Sequence, residues 1–372
     1  MNRKIIQESP RSGECCCGPA ANVHIAYRPV QTKGRLTTPA GDIAKVSTEW
    51  SMGDYFGAIA VRVGIHRMNY AVCPGLYAVG DPGKDDPVLV SANYKLSFDV
   101  LRRELAGLNA WILVIDTKGV NVWCAAGKGT FGTMEIAKRV MATRLADIVT
   151  ARKLIVPQLG APGVAADMVQ AFCDFTVLYG PVRARDIRRY LKAGMKADAA
   201  MRRVTFGMLE RISVAWLELA QALKIGIGVA AGLFVLMGIG VQGFSPAIAW
   251  ARSSMIIGLI AVAIVSGTVL TAILLPFLPG KAFSFKGGLL GAVTATGMGL
   301  LRVQFGHHAL LSLSLLSSVL FTSAVSAYLA LNFTGCSTYT SVSGVKKEIR
   351  LALPVIIGLL LLSVLFQVVG RI

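Results

Sequence analysis

DPVLVSANYKLSFDVLRRELAGLNAWILVIDT, Asp86–Thr117, reads as strand, helix, strand. The run at Val88–Ala92 is short, apolar and valine-rich, as a strand buried on both faces should be. LSFDVLRRELAGLN then sets its apolar residues at helical spacing and closes on a glycine, and AWILVIDT supplies a second buried strand at Trp111–Asp116. Toward the C-terminus the alternation continues with helix TMEIAKRVMATRLADIV, strand KLIVPQ, helix GVAADMVQAFC, strand FTVLYG and a basic helix over Arg183–Lys192. Strands alternating with helices predict an α/β domain of Rossmann-like type, a parallel sheet covered on both faces, with ligands bound at the carboxyl ends of the strands. The segments leaving those ends are SANYK, DTKGVNVWCAAGKG, PQLGAPG and LYGPV. Toward the N-terminus, Ser51–Val63 predicts a helix leading into the domain. Residues 1–45, polar and punctuated by Gly and Pro, predict a flexible arm.

After Leu223 the pattern changes to long apolar runs. Crossing the hydrocarbon core takes about 20 residues, and five spans are predicted, at 223–241, 255–275, 287–303, 309–331 and 351–369. The domain plan is therefore an arm (1–45), a cytoplasmic α/β domain (46–195), a juxtamembrane segment (196–222) and a membrane domain (223–372). Gly287, Gly291, Gly297 and Gly299 in the third span predict close helix packing through small residues. Lys281, Lys286, Lys346 and Lys347 fall on one side of the bilayer, against Arg252 and Arg302 on the other. With basic loops inside, the α/β domain is expected in the cytoplasm, the protein in the inner membrane and the C-terminus outside. MNRKIIQESPRSGECCCGPA lacks the apolar core of a signal peptide.

The chain of 372 residues carries a net charge of +18, which suits a basic domain beside anionic lipid. Nucleic acid is not expected as a partner, because no basic helix with interleaved aromatics and no RNA-binding signature accompanies that charge. The seven cysteines are too sparse and irregular for a disulfide framework, and they form no C-x-x-C pair. No iron–sulfur cluster ligated by this chain is expected.

Cys124 stands in NVWCAAGKGTFGT, Asn121–Thr133, where Asn121 suggests the N-cap of a short helix just beyond a strand. A thiol in that first turn faces the positive end of the helix dipole, with Lys128 four residues on, and a thiolate is a soft metal ligand. A packed, buried thiol accounts for the position equally well. A phosphate-binding loop does not, since the G-x-x-x-x-G-K-S/T register would need glycine at Val122 and Ser or Thr at Gly129.

DTKGVNVWCAAGKGTFGT closely resembles the cap-helix signature N-V/I-W-C-A-A-G-K of the HgcA family, the corrinoid proteins of microbial mercury methylation, whose domain is related to the corrinoid iron–sulfur protein of the acetyl-CoA pathway. CPGLYAVGDPGKDDPVLVSANYKLSFDVLRRELAGLNAWILVIDTKG and LNFTGCSTYTSVSGVKKE are also similar to family segments, so the resemblance runs from about Tyr70 to the C-terminus. It implies a corrinoid-binding α/β domain followed by five spans. It implies a cobalamin-type corrinoid with Cys124 as lower axial ligand of its cobalt, and Asn121, Val122, Trp123, Ala125, Ala126, Gly127 and Lys128 shaping the helix over the ring. Around the corrinoid it implies the loops Ser91, Ala92, Asn93 and Tyr94; Thr117; Gln158, Leu159, Gly160, Ala161, Pro162 and Gly163; and Tyr179, Gly180, Pro181 and Val182. The alternative scheme, histidine from D-x-H-x-x-G, has no candidate among His24, His66, His307 and His308.

The activity so implied is corrinoid-dependent methyl transfer to Hg(II), forming methylmercury from methyl-Co(III). The methyl donor would derive from methyltetrahydrofolate. Electrons would come from a ferredoxin-like partner with two 4Fe–4S clusters, docking near Arg183, Arg185, Arg188 and Arg189. Two other readings stay open. One is a corrinoid methyl carrier with a non-mercury acceptor. The other is a membrane transporter or metal-handling protein with a cytoplasmic sensor domain, for which Cys15, Cys16, Cys17 and Cys336 speak. Against transport, the predicted spans hold no interior acid.

Overall fold

The structure is a computed structural model that describes residues 27–241, 243–304, 313–333 and 342–370. The chain forms two compact units. One runs to Val61 and resumes over Ile65–Val204; the other comprises Arg62–Gly64 and the chain from Thr205.

The first unit contains β1 (Thr32–Thr38), β2 (Gly41–Val46), α1 (Met52–Arg62), β3 (Gly75–Val79), β4 (Val88–Ala92), α2 (Lys95–Glu104), β5 (Ala110–Ile115), α3 (Val122–Gly127), α4 (Thr133–Ala142), β6 (Lys153–Val156), α5 (Ala166–Cys173), β7 (Thr176–Tyr179), α6 (Ile187–Lys192) and α7 (Ala199–Arg202). Its seven strands form one sheet in the order β1-β2-β3-β5-β4-β6-β7. From β5 to β7 the neighbours are parallel, with Val88 opposite Trp111 on one side and Leu154 on the other. Every residue of β4 and β5 is buried, so the two strands alternate between two cores rather than between core and water. Val90, Leu113 and Ile115 pack with Ile136, Val140 and Val169 of α4 and α5. Leu89, Ile112 and Val114 pack on the other face with Phe98, Leu101 and Leu105 of α2 and its end, and with Ile187 and Tyr190 of α6.

Two expectations need correction here. The sheet is mixed, not wholly parallel: β3 runs antiparallel to β5, with Tyr77 opposite Ile112, and β1 runs antiparallel to β2. Without β3, the outer edge of the buried strand β5 would present unpaired backbone groups. The second correction concerns the flexible arm, of which residues 32–45 lie in the β1–β2 hairpin. Its turn is closed by the Thr38 hydroxyl donating to Gly41 O at 2.7 Å, with Gly41 at φ +111°. Residues 1–26, including Cys15, Cys16, Cys17 and His24, lie outside the described residues, as do His307, His308 and Cys336.

α1 begins with a reciprocal cap in which Asp54 N donates to the Ser51 hydroxyl and Ser51 N to the Asp54 carboxylate. Asp54 then enters a buried ionic cluster with α2. Lys95 Nζ lies 2.5 Å from Asp54 and 2.6 Å from Asp99, while Arg102 reaches both carboxylates at 2.8 Å. The remaining Arg102 donors go to Ser47 O and Glu49 O. Two cations and two anions cancel, and most of the polar atoms are bonded, which is the condition under which charge is tolerated at this depth.

The second unit contains α8 (Met208–Gly238), a two-residue hairpin of β8 (Ile239–Gly240) and β9 (Gly243–Phe244), α9 (Pro246–Val265), a wide π turn (Ser266–Leu270), α10 (Thr271–Leu274), α11 (Phe283–Gln304), α12 (Leu313–Phe333) and α13 (Val342–Val369). Among the described residues, four stretches are long and apolar enough to cross a membrane: Met208–Gly238, Pro246–Leu274, Leu313–Phe333 and Gly344–Val369. Five spans were expected. The third is a helix of 22 residues, but Lys286 and its Ser, Thr and Gly residues keep it out of that set. The expected juxtamembrane segment and first span are joined in the single helix α8 of 31 residues.

Glycines let α11 approach α12 closely. A Cβ on Gly287 would stand 2.5 Å from Ser326 O, one on Gly291 2.6 Å from Thr322 O, and one on Gly299 2.4 Å from Leu315 Cδ1. Gly297 has nothing within 4 Å and plays no such part. Hydroxyls add bonds between helices, from Ser266 to Thr294 (2.9 Å) and from Ser326 to Ala263 O (3.1 Å).

Candidate functional site

Cys124 sits in the first turn of α3, a six-residue helix that follows β5 and its turn. Asn121 is the N-cap: its Oδ1 accepts from Cys124 N at 2.9 Å. The helix has one inward and one outward side. Ala125 and Ala126 are buried; Trp123, Cys124, Gly127 and Lys128 are exposed, and Val122 is half-buried against the core. Ala125 O is a hub, accepting from Thr130 N (2.9 Å) and Phe131 N (3.1 Å), so the chain leaving α3 folds back beneath it.

The turn that delivers α3 is held by Asn93, which is fully buried. Its Oδ1 accepts from Thr117 N (3.1 Å), Thr117 Oγ1 (2.8 Å) and Gly119 N (2.9 Å), while Nδ2 donates to Asp116 at 3.0 Å. Thr117 Oγ1 is also 2.6 Å from Val120 O. Lys118 and Gly119 take the left-handed conformation, which this set of bonds holds in place. From the far side, Glu135 of α4 accepts from Asp116 N at 3.0 Å and pairs with Arg139 at 2.9 Å.

The loop after β6, Gln158–Gly163, packs against α3. A Cβ on Gly163 would stand 2.1 Å from Phe131 O and 3.3 Å from Ala126 Cα, and one on Gly160 would meet the Phe131 ring at 2.4 Å. Two glycines thus permit a contact that other residues would block. Gln158 Oε1 is buried there with no hydrogen-bond partner in the protein. Tyr179 closes the base of this loop by donating to Val164 O at 2.7 Å. Burial, then the charge of Asp167, pushes its phenol above the usual range and keeps it a donor.

The residues expected around a cofactor therefore divide. Asn121–Lys128 and the Gln158–Gly163 loop come together at the surface. Ser91, Ala92, Asn93, Tyr94 and Thr117 are buried, supporting the turn from behind. Gly180 N donates to Val156 O and Val182 N to Met201 O, which ties Gly180, Pro181 and Val182 to β6 and α7. Sequence reasoning missed Glu135, Asp116, Gly119 and Phe131. Of these only Phe131 carried a signal, as an aromatic between two glycine turns.

These features fit a large, flat, metal-bearing group. The thiol is exposed on a helix whose outer side carries Gly127, where a Cβ would meet nothing within 4 Å. An unpaired buried acceptor, Gln158 Oε1, stands in the adjoining loop. Among the described residues no cluster of three or more His, Cys, Asp or Glu is disposed to hold a metal. A metal at Cys124 would have to arrive with most of its own ligands, as the metal of a macrocycle does.

The family match falls on the α/β unit. Residues 63–191 match the family model described as CdhD, the CO dehydrogenase/acetyl-CoA synthase delta subunit; the match covers about a third of the chain and ends ahead of the apolar helices. Among individual proteins, the acetyl-CoA decarbonylase/synthase complex subunit gamma of Archaeoglobus fulgidus is 32% identical over 142 residues, 36% of this chain and 29% of that protein. The gamma subunit of Methanopyrus kandleri is 31% identical over 121 residues, 32% of this chain and 26% of that protein. That of Methanocaldococcus jannaschii is 33% identical over 97 residues, 26% of this chain and 20% of that protein. The chain spans less than a third of the length of these relatives.

Proposed function

We propose that this chain is a membrane-anchored corrinoid protein that transfers methyl groups to Hg(II), with Cys124 as the residue that would hold the cobalt. The observation that carries the reading is the exposed Cys124 thiol on a capped, alanine-backed helix, within the segment that matches the CO dehydrogenase/acetyl-CoA synthase delta subunit family. A cobalamin-type corrinoid bound there supplies a metal that takes up and gives up a methyl group. Asn121 fixes the start of the helix and with it the position of the sulfur. Ala125 and Ala126 let the helix lie low over the sheet, and Gly160 and Gly163 bring the second loop alongside. Gln158, with its buried and unpaired oxygen, would accept a hydrogen bond from the bound group. Asn93, Thr117 and Glu135 keep the turn from yielding when a ligand loads the thiol.

The exposed Arg185, Arg188 and Arg189 on and just before α6 supply the surface for an acidic ferredoxin-like electron donor with two 4Fe–4S clusters. The methyl donor in this reading derives from methyltetrahydrofolate. α11 crosses the membrane as a fifth span in spite of its composition. Its contacts with α12, from Gly287 beside Ser326 to Gly299 beside Leu315, cover Gly287, Gly291 and Gly299 and give the helix a protein neighbour in place of lipid there. With basic loops inside, the α/β unit lies in the cytoplasm.

The test compares purified, corrinoid-loaded wild type with Cys124→Ala, reading the absorption bands of the bound corrinoid and methylmercury formed from Hg(II). Wild type should show a thiolate-ligated spectrum, and the variant should lose it together with methylation. An unchanged spectrum would remove Cys124 from the metal. The similarity to acetyl-CoA decarbonylase/synthase subunits favours one second reading, a methyl carrier for a non-mercury acceptor. Corrinoid bound through Cys124 without methylmercury production would select it.

A further inference from the structure

We infer that α1 is a membrane-surface helix, laying its outer stripe into the headgroup region of an anionic bilayer. The helix has two contrasting faces. Asp54, Ala58 and Val61 are 6%, 2% and 1% exposed and pack inward. Met52, Tyr55, Phe56 and Ile59 recur at i, i+3, i+4 and i+7 and are 67%, 49%, 64% and 59% exposed. A helix on the surface of a water-soluble domain turns charged residues outward. Here the only acid is the buried Asp54, and the only cation is the exposed Arg62 in the last turn. An apolar stripe ending in a cation, with Trp50 edge-on to Tyr55 at 5.2 Å, is the pattern of a helix lying in a lipid interface.

The chain itself indicates lipid as the occupant. α1 leads directly into Arg62–Gly64, which belong to the helical unit, and there a Cβ on Gly64 would meet Leu217 of α8 at 3.3 Å. Leu217 lies in the N-terminal half of Met208–Gly238, so the segment that continues α1 packs on a helix long and apolar enough to cross a membrane. The buried cluster of Asp54 with Lys95 and Arg102 couples α1 rigidly to α2. Contact with lipid along α1 would therefore fix how the whole α/β unit is presented.

The inference rests on the reading that the apolar helices cross a membrane. The experiment separates the two. Full-length protein is reconstituted into vesicles of phosphatidylcholine and phosphatidylglycerol containing a phospholipid with a photoactivatable acyl chain. After illumination, adducts are mapped by mass spectrometry. Adducts on α9 and α13 report membrane insertion independently of α1. Wild type should also yield adducts on Met52–Arg62, and Phe56→Glu, a substitution at an exposed position, should lose them while keeping those on α9 and α13. Adducts on α9 and α13 with none on α1 in wild type would overturn the inference. So would equal labelling of α1 in both proteins. Absence of adducts on α9 and α13 would overturn the membrane reading itself.

Discussion

Asn93 donates to Asp116 and accepts from Thr117 and Gly119, so a single buried carboxamide shapes the turn that carries α3 to the surface. Asn93→Ala leaves the N–H groups of Thr117 and Gly119 short of an acceptor, while the Thr117 hydroxyl keeps Val120 O. Loss of buried bonds of this kind costs about 2–4 kcal/mol, to be read as a lower denaturant midpoint with faster amide exchange at Thr117 and Gly119. Glycines at the site separate by their surroundings. Gly163→Ala forces a Cβ to within 2.1 Å of Phe131 O, so backbone must move, and the variant should lose bound corrinoid. Gly127→Ala meets nothing within 4 Å in the protein and should unfold at the wild-type denaturant midpoint, whereas Gly163→Ala should unfold earlier; denaturant titration of both proteins checks the pair. At this scale the sequence was legible where the partners were close along the chain. Asn121 and Cys124 are three residues apart and declare an N-cap. Asn93 finds its partners 23 to 26 residues downstream, a distance that no local pattern encodes, so the part its amide plays in the turn was not legible in the sequence.

The clearest element-scale effect is the attachment of α1 to α2. Burial pulls the Asp54 carboxyl upward, but hydrogen bonds from Lys95 and Ser51 and the Lys95 charge outweigh it and hold the pKa at about 2, below the usual carboxylate range. A carboxyl depressed on folding stabilises the native state above its unfolded pKa, and the contribution is lost as pH falls through the folded one. Asp54 should thus contribute about 2 kcal/mol above pH ~4, fading between pH ~4 and ~2. Asp54→Asn should flatten the stability-against-pH curve in that window, measured by urea unfolding, while leaving its slope above pH ~5 unchanged. Elements built from continuous apolar runs, β4 to β7, were readable because burial on both faces leaves a run of Val, Ile and Leu. β1 and β2 were not, because most of their residues are exposed or only half-buried and their composition is that of a loop. β3, five residues after a Cys-Pro pair, is recognisable only from the edge of β5 that it covers.

For the whole molecule, the number of crossings decides where the chain ends. Four crossings would return the C-terminus to the side of the α/β unit, and five place it opposite. α11 paired with α12 along its length supports five, so a C-terminal epitope tag in sealed, right-side-out vesicles should be accessible to protease while the α/β unit stays protected. Hydropathy located this helix, but its glycines carry their meaning only through the neighbour they touch. The π turn at Ser266–Leu270 bears on the same packing. One residue more than an α-helix needs is looped into that turn, where Thr271 Oγ1 reaches back five residues to Ser266 O and a Cβ on Gly267 would stand 2.8 Å from Ser326 O. Deleting one residue there would rewind the turn to regular α-helix and rotate everything after it by about 100°. The surplus residue therefore works as a phase setter: it determines which side of α10 meets its neighbours, and a chain shortened by that one position would need a different set of small residues to close the bundle.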